Sequence, residues 1–258
     1  MSLASLTVGP AAWANEAAEN TLTESVVTDS LSELGHLVAT PAADSGSPLG
    51  ETFLGDGVVD IPVNAAEGVS ILDEDGSGVL IGLPNASKSD SAGVVEEGAV
   101  TYLGSNSANT VVVADYGVQM LTTIANEDAP TRYDYPLTLS EGQKLALTDE
   151  GLPAIFGVDG EIEMLVAAPW AKDAAGKDVQ TEYEVNGSTL TQIVHHTDSS
   201  SVVYPVTADP IWIAPWVFRC LLGVGIRGPE IVRIAALGTP GSIAAAFGRG
   251  AVACIFGK

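Results

Sequence analysis

The chain has 258 residues, 46% of them apolar, and 33 acidic against 10 basic side chains give a formal net charge of −23. That is enough apolar material for one large or two small domains, and a negative field opposes approach to phosphate backbones, so the intact chain is excluded as a nucleic-acid binder. The charge is divided unevenly: residues 1–210 hold 5 Lys and Arg against 32 Asp and Glu, whereas Ile211 to Lys258 hold 5 against the single Glu230.

Leu3 to Ala12 is an apolar run, and Ala12-Trp13-Ala14 puts small residues where a signal peptidase reads them, ahead of the polar Asn15-Glu16. No Lys or Arg precedes Lys88. Residues 1–14 are therefore read as a signal-peptide remnant cut after Ala14, with an ordinary disordered terminus as the alternative. The chain is expected to be secreted. Residues 15–57 are acidic and rich in Ser, Thr, Ala and Gly, and are expected to be a largely disordered linker; only Glu24 to Leu37 has apolar spacing suited to a helix.

From Val58 the pattern changes to short runs of Val, Ile, Thr and Tyr bounded by Gly, Asn, Asp and Pro. It predicts strands near 58–63, 68–73, 78–83, 99–103, 109–115, 117–125, 132–138, 144–148, 153–157, 161–168, 179–185, 188–196 and 201–206. Asn186-Gly187 predicts a two-residue hairpin turn between Thr181–Val185 and Ser188–Ile193, because both positions of such a turn need positive φ. Asp159-Gly160 predicts a second. Residues 58–210 thus read as an antiparallel, sandwich-like β carrier domain, closed by Ala208-Asp209-Pro210, where proline ends strand pairing.

After Pro210 the period becomes helical. A short apolar helix is expected over about Ala214 to Gly223. A second begins at Pro229 and ends at Gly238, and a third, opened by Thr239-Pro240, runs to about Phe256. The overall class is α+β by segregation: an all-β domain, then a small α-helical module over 211–258. Both cysteines, Cys220 and Cys254, fall in this module. A disulfide between them would clamp its ends and gain roughly 4 kcal/mol in the chain-entropy model; two buried thiols are the alternative.

The module's helices are apolar with a thin cationic stripe, the character of peptides that enter a membrane interface. Arg219, Arg227, Arg233, Arg249 and Lys258 would attract anionic lipid, and Trp212, Trp216 and Phe247 would insert. The competing reading buries the same apolar faces against the β domain. No apolar run reaches the roughly 20 residues that span a bilayer.

Other constellations are weak. Asp73-Glu74-Asp75-Gly76-Ser77-Gly78 lacks the ligand order of a calcium loop and reads as a hairpin turn. His195 and His196, beside Asp198, should point to opposite faces and so not share a metal. Gly223-Val224-Gly225-Ile226-Arg227-Gly228 has dinucleotide-fingerprint spacing without the strand before it or the acid after it, and reads as a bend between helices. No metal, cofactor or catalytic residue is assigned, and a hydrolase is the most distant alternative.

The runs Asp134 to Leu139, Ala168 to Gly176, Thr181 to Gly187 and Val203 to Pro210, the last containing Tyr204-Pro205-Val206-Thr207-Ala208-Asp209-Pro210, resemble a group of uncharacterised secreted proteins of actinobacteria over roughly residues 95–210. Those proteins carry variable apolar modules after the Ala-Asp-Pro, and the plan is similar to that of bacteriocin or pro-antimicrobial-peptide precursors. The resemblance implies secretion and a precursor-like plan, and the charge, size and amphipathicity of the tail give the rest of the expectation: a processing protease would cut near Pro210-Ile211, and the released module would act on bacterial membrane lipid. The alternative is a secreted non-catalytic structural or interaction protein whose helical tail packs on the β domain or on a partner.

Overall fold

The computed structural model describes residues 22–42, 48–54, 57–74, 76–95 and 98–238. Expectations for Ala14, Phe247, Arg249, Cys254 and Lys258, and for the third tail helix, lie outside these. Among the described residues, seventeen strands form two antiparallel sheets. In chain order they are β1 (Gly50–Leu54), β2 (Gly57–Ile61), β3 (Val69–Asp73), β4 (Gly78–Ile81), β5 (Gly93–Val95), β6 (Ala99–Tyr102), β7 (Ser107–Ala114), β8 (Gly117–Ile124), β9 (Arg132–Leu139), β10 (Lys144–Leu147), β11 (Pro153–Phe156), β12 (Ile162–Val166), β13 (Ala171–Asp173), β14 (Thr181–Asn186), β15 (Thr189–Val194), β16 (Val206–Ala208) and β17 (Ile211–Ile213). The helices are α1 (Glu24–Leu34), α2 (Pro215–Gly223) and α3 (Gly228–Ala235). The expected antiparallel β architecture with a small C-terminal helical part is what the chain adopts.

The first sheet runs β1-β2-β3-β4-β9-β15-β14 and the second β10-β11-β12-β17-β8-β7-β6-β5, with β16 paired to β8 and β13. Strand composition decides where each sits. In β9, Tyr133, Tyr135 and Leu137 alternate with exposed Arg132, Asp134 and Pro136, so one face meets the core and the other meets water. Every residue of β8 is buried, and in β7 only Ser107 is partly exposed, which requires cover on both faces. One face meets the opposite sheet: the Tyr135 and Trp212 rings lie edge to face at 6.4 Å, and Thr122 Oγ1 shares a hydrogen bond with Tyr135 Oη at 3.2 Å.

The other face is covered by the N-terminal segment. Thr23 caps α1 at the Val26 amide, and Val27, Leu31 and Leu34 lie on its buried side. Ser30 Oγ bonds Thr207 Oγ1 at 2.8 Å. Gln119, from β8, accepts from Ala39 N at 2.6 Å and donates to Leu37 O at 2.9 Å. The linker expectation for 15–57 is corrected here: the predicted helix forms, and residues 22–42 and 48–54 are built into the fold because α1 and β1 bury apolar side chains. Sequence composition hid this, since the buried residues are few among many polar ones.

Two local expectations change. The β14–β15 turn is Gly187-Ser188, since Asn186 pairs with Thr189; Gly187 alone takes positive φ, at 59°. That register sets Val185 opposite Leu190, joining apolar partners across the strands, whereas the expected turn would set Val185 against Ser188. The sequence pattern does not mark four strands, β1, β5, β13 and β17; three of them, β5, β13 and β17, are only three residues long, and β17 directly follows Pro210.

The last unpredicted strand overturns the domain boundary at 210. Ala208 pairs with Thr122 and Ile211 with Gln119, so β16 and β17 follow β8 in one unbroken register across Asp209-Pro210. Proline has no N–H to give, but its carbonyl accepts from Met120 N at 2.9 Å; it interrupts the ladder without ending it. β17 also pairs with β12 on its other side. The helices continue from there, with Trp216, Val217, Phe218 and Leu221 of α2 and Ile231, Val232 and Ala235 of α3 buried.

Candidate functional site

The junction between the acidic and basic parts of the chain is the place where sequence and structure disagree most, and it is where buried polar chemistry gathers. Trp212 is 0% exposed and Trp216 7%. Trp212 faces Tyr135 of the opposite sheet. Across the edge, Gly117 leaves room for the β17 backbone: a side chain there would collide with Trp212 O and Ala214 N. Gly57 in β2 likewise lies directly against the Trp216 ring. The two expected membrane-inserting tryptophans are therefore core residues in the folded chain, and cannot meet lipid unless the strand is withdrawn.

The cationic residues stand outside. Arg219 makes a two-pronged contact with Asp73, at 2.8 and 2.9 Å, which ties α2 to the β3–β4 turn of the first sheet. Arg227 precedes α3 and Arg233 lies near its end, both exposed. Cys220 is exposed on α2. Ala168 N donates to Ala235 O at 3.1 Å, so the end of α3 is fastened to the loop after β12. Arg219, Arg227 and Arg233 thus lie in water, and Trp212 and Trp216 in the core.

Between β16 and β17, Asp209 is 0% exposed. Its Oδ1 accepts from Trp170 N at 3.1 Å, while Oδ2 has no hydrogen-bond partner among the described residues. Burial pushes its carboxyl well above the ordinary carboxylate range, against the opposing pull of the Trp170 amide and the Gln119 and Trp170 side chains. Its main-chain oxygen accepts from Tyr183 Oη, reaching over from β14 at 3.3 Å. Burial likewise pushes the phenols of Tyr116, Tyr135 and Tyr183 up, each further raised by Asp209. The sequence held one signal of this site: a lone acid inside the apolar run from Val206 to Ala214. Gln119, Trp170 and Tyr183 come from distant strands and gave none.

Asp173 is a contrasting buried acid. Burial pushes it up, but amide donors from Lys177, Val203 and Ala175 outweigh that and hold it below its ordinary value. The Asp73–Gly78 segment is a hairpin turn, with Asp73 N donating to Ser77 O at 2.7 Å. Gly225, at φ 92°, forms the bend between α2 and α3.

The histidines diverge. His195 meets Asp198 through Nδ1 at 3.1 Å and Glu182 through Nε2 at 3.3 Å, so each ring nitrogen faces a carboxylate. His196 is buried between Tyr204 Oη and Pro130 O, and burial lowers its pKa. Among the described residues no group of three His, Cys, Asp or Glu is placed to hold a metal ion, and no helix is long and apolar enough to cross a membrane. No protein-family model, curated protein or solved structure matches the chain.

Proposed function

We propose that the chain acts as a secreted, non-catalytic structural or interaction protein in which the start of the tail is part of the scaffold. The observation that supports this is the two-sided pairing of Ile211–Ile213, with β8 on one side and β12 on the other. A strand in that position has no free edge. Removing it would expose Trp212 and unpair both neighbours, a cost of several kcal/mol for the tryptophan alone. Native mass spectrometry of the secreted protein should find the tail and the β domain as one species; a free tail species would overturn the reading.

A second reading, a precursor of a membrane-active antimicrobial module, is favoured by the charge reversal at Ile211. An acidic carrier would shield a cationic apolar segment until release, and bacterial membrane lipid would be the target. In that case a peptide of residues 211–258 should leak dye from anionic vesicles while the intact chain does not. Leakage by neither removes this reading.

A further inference from the structure

We propose that the chain cuts its own Asp209–Pro210 bond, by attack of the Asp209 side-chain carboxyl on the carbonyl carbon of the same residue. This goes beyond the scaffold reading and holds whether the tail afterwards stays or leaves. Geometry carries it in three ways. The bond lies between two fully buried strands, β16 and β17, where an external protease cannot take the chain into its cleft, which leaves only groups already present to act on it in the folded chain. The carboxyl is 0% exposed, with one oxygen held by Trp170 N and the Gln119 and Trp170 side chains close enough to act on it. The carbonyl it would attack already accepts a hydrogen bond from Tyr183 Oη, a donor aimed at the oxygen on which negative charge builds.

A carboxyl oxygen of Asp209 bonds to its main-chain carbonyl carbon and closes a five-membered cyclic anhydride. The bond from that carbon to the Pro210 nitrogen breaks, and the carboxyl proton goes to that nitrogen, which leaves as a secondary amine. Water then opens the anhydride, leaving Asp209 with its side-chain and new terminal carboxyl groups. The net reaction is hydrolysis of one peptide bond. Holding both reacting groups in one residue removes the entropy cost of bringing them together. The neutral carboxyl supplies the proton, and burial favours that form. The titratable groups interacting with it are the phenols of Tyr116, before β8, Tyr135 on β9 and Tyr183 on β14. None of these brings a charge at neutral pH. Cutting should therefore slow as pH rises through the elevated Asp209 pKa. Afterwards β17 is still hydrogen-bonded to β8 and β12, so the two pieces stay associated until the fold is opened.

The test is incubation of the purified full chain in mildly acidic and mildly alkaline buffer, followed by denaturing mass spectrometry. A fragment beginning at Pro210 should form with first-order kinetics independent of chain concentration, which separates self-cutting from a contaminating protease. It should form at least tenfold faster in the folded chain than in urea at the same pH, since unfolded Asp-Pro bonds also yield slowly to acid. Asp209→Asn should abolish the cut, and Tyr183→Phe should slow it on the order of tenfold to a hundredfold. Tyr183→Phe removes one oxygen from a partly exposed ring, so it keeps the test alive if Asp209→Asn fails to fold. The proposal is overturned if folded and unfolded chains cut at equal rates. A folded Tyr183→Phe chain cutting at the parent rate, or a new terminus elsewhere than Pro210, overturns it as well.

Discussion

Val206–Ala208 and Ile211–Ile213 are neighbouring three-residue strands on the same partner, β8, in the same register, yet one closes the acidic part of the chain and the other opens the basic part. By charge they belong to different modules. By hydrogen bonding they are two halves of one strand, separated by a proline whose only defect is the missing N–H. The comparison teaches that a boundary in composition is a statement about surface residues. The exposed side chains reverse sign at 211, while burial continues unbroken from Val206 to Ala214, mostly apolar with Thr207 and Asp209 inside it.

The strongest way to break that unity is to deny β17 its place. Gly117→Val sets a side chain against the Trp212 and Ala214 backbone, atoms that cannot swing aside. We expect loss of more than about 4 kcal/mol, or failure to fold, as read by urea denaturation. Trp212→Ala, which leaves the backbone free to pair, should cost about 3–5 kcal/mol. If either change left stability intact while the β domain stayed folded, the tail would be separable after all.

Acidity sharpens the comparison at its centre. The Asp209 carboxyl is raised, so its contribution to stability is full below the unfolded pKa and is lost as pH rises through the folded value. Asp209→Asn imitates the neutral form. The variant should match the parent in acid and become the more stable of the two as pH rises, measured by thermal melts across pH. Asp173 has the opposite sign, because its folded pKa is lowered: its contribution is present above the unfolded pKa and fades as pH falls through the folded one. Asp173→Asn should therefore hurt most at neutral pH and least in acid. Parallel pH profiles for the two variants would contradict this assignment.

The smallest effect is expected at the surface. Arg219 joins the basic tail to the acidic β3–β4 turn, but its side chain is 54% exposed. Arg219→Ala should cost no more than about 1 kcal/mol and the loss should shrink in high salt. A larger loss would mean that charge attraction between the two regions, and not the shared core, holds the tail in place.

Much of the architecture was legible in the sequence because β-branched alternation, Asn-Gly and Asp-Gly pairs and the helix-starting prolines are local signals. Twelve of the thirteen expected strands, including β9 and the β14–β15 hairpin, needed only their own residues and their neighbours; the one expected at 201–206 is loop up to Val206, where β16 begins. The membrane-facing assignment of Trp212 and Trp216 failed for the reason the competing reading gave. Amphipathicity shows that a face must be covered, and leaves open whether lipid or a sheet covers it. Asp209 was noticed as part of a stop signal and not as a buried acid, since Trp170, Gln119 and Tyr183 lie far from it along the chain.

By itself, then, the sequence determined the β-rich class, the position of most strands, the helix at Glu24 and the reversal of charge at Ile211, all properties set by residues within a few positions of one another. Only the tertiary structure decided that Leu37 and Ala39, just after α1, fasten to Gln119 of β8 and that β17 is flanked on both sides. It alone decided that a carboxyl and a phenol meet at the Asp209–Pro210 bond. Those outcomes depend on which distant strands share an edge or a face, and packing in three dimensions sets that choice where no local pattern encodes it.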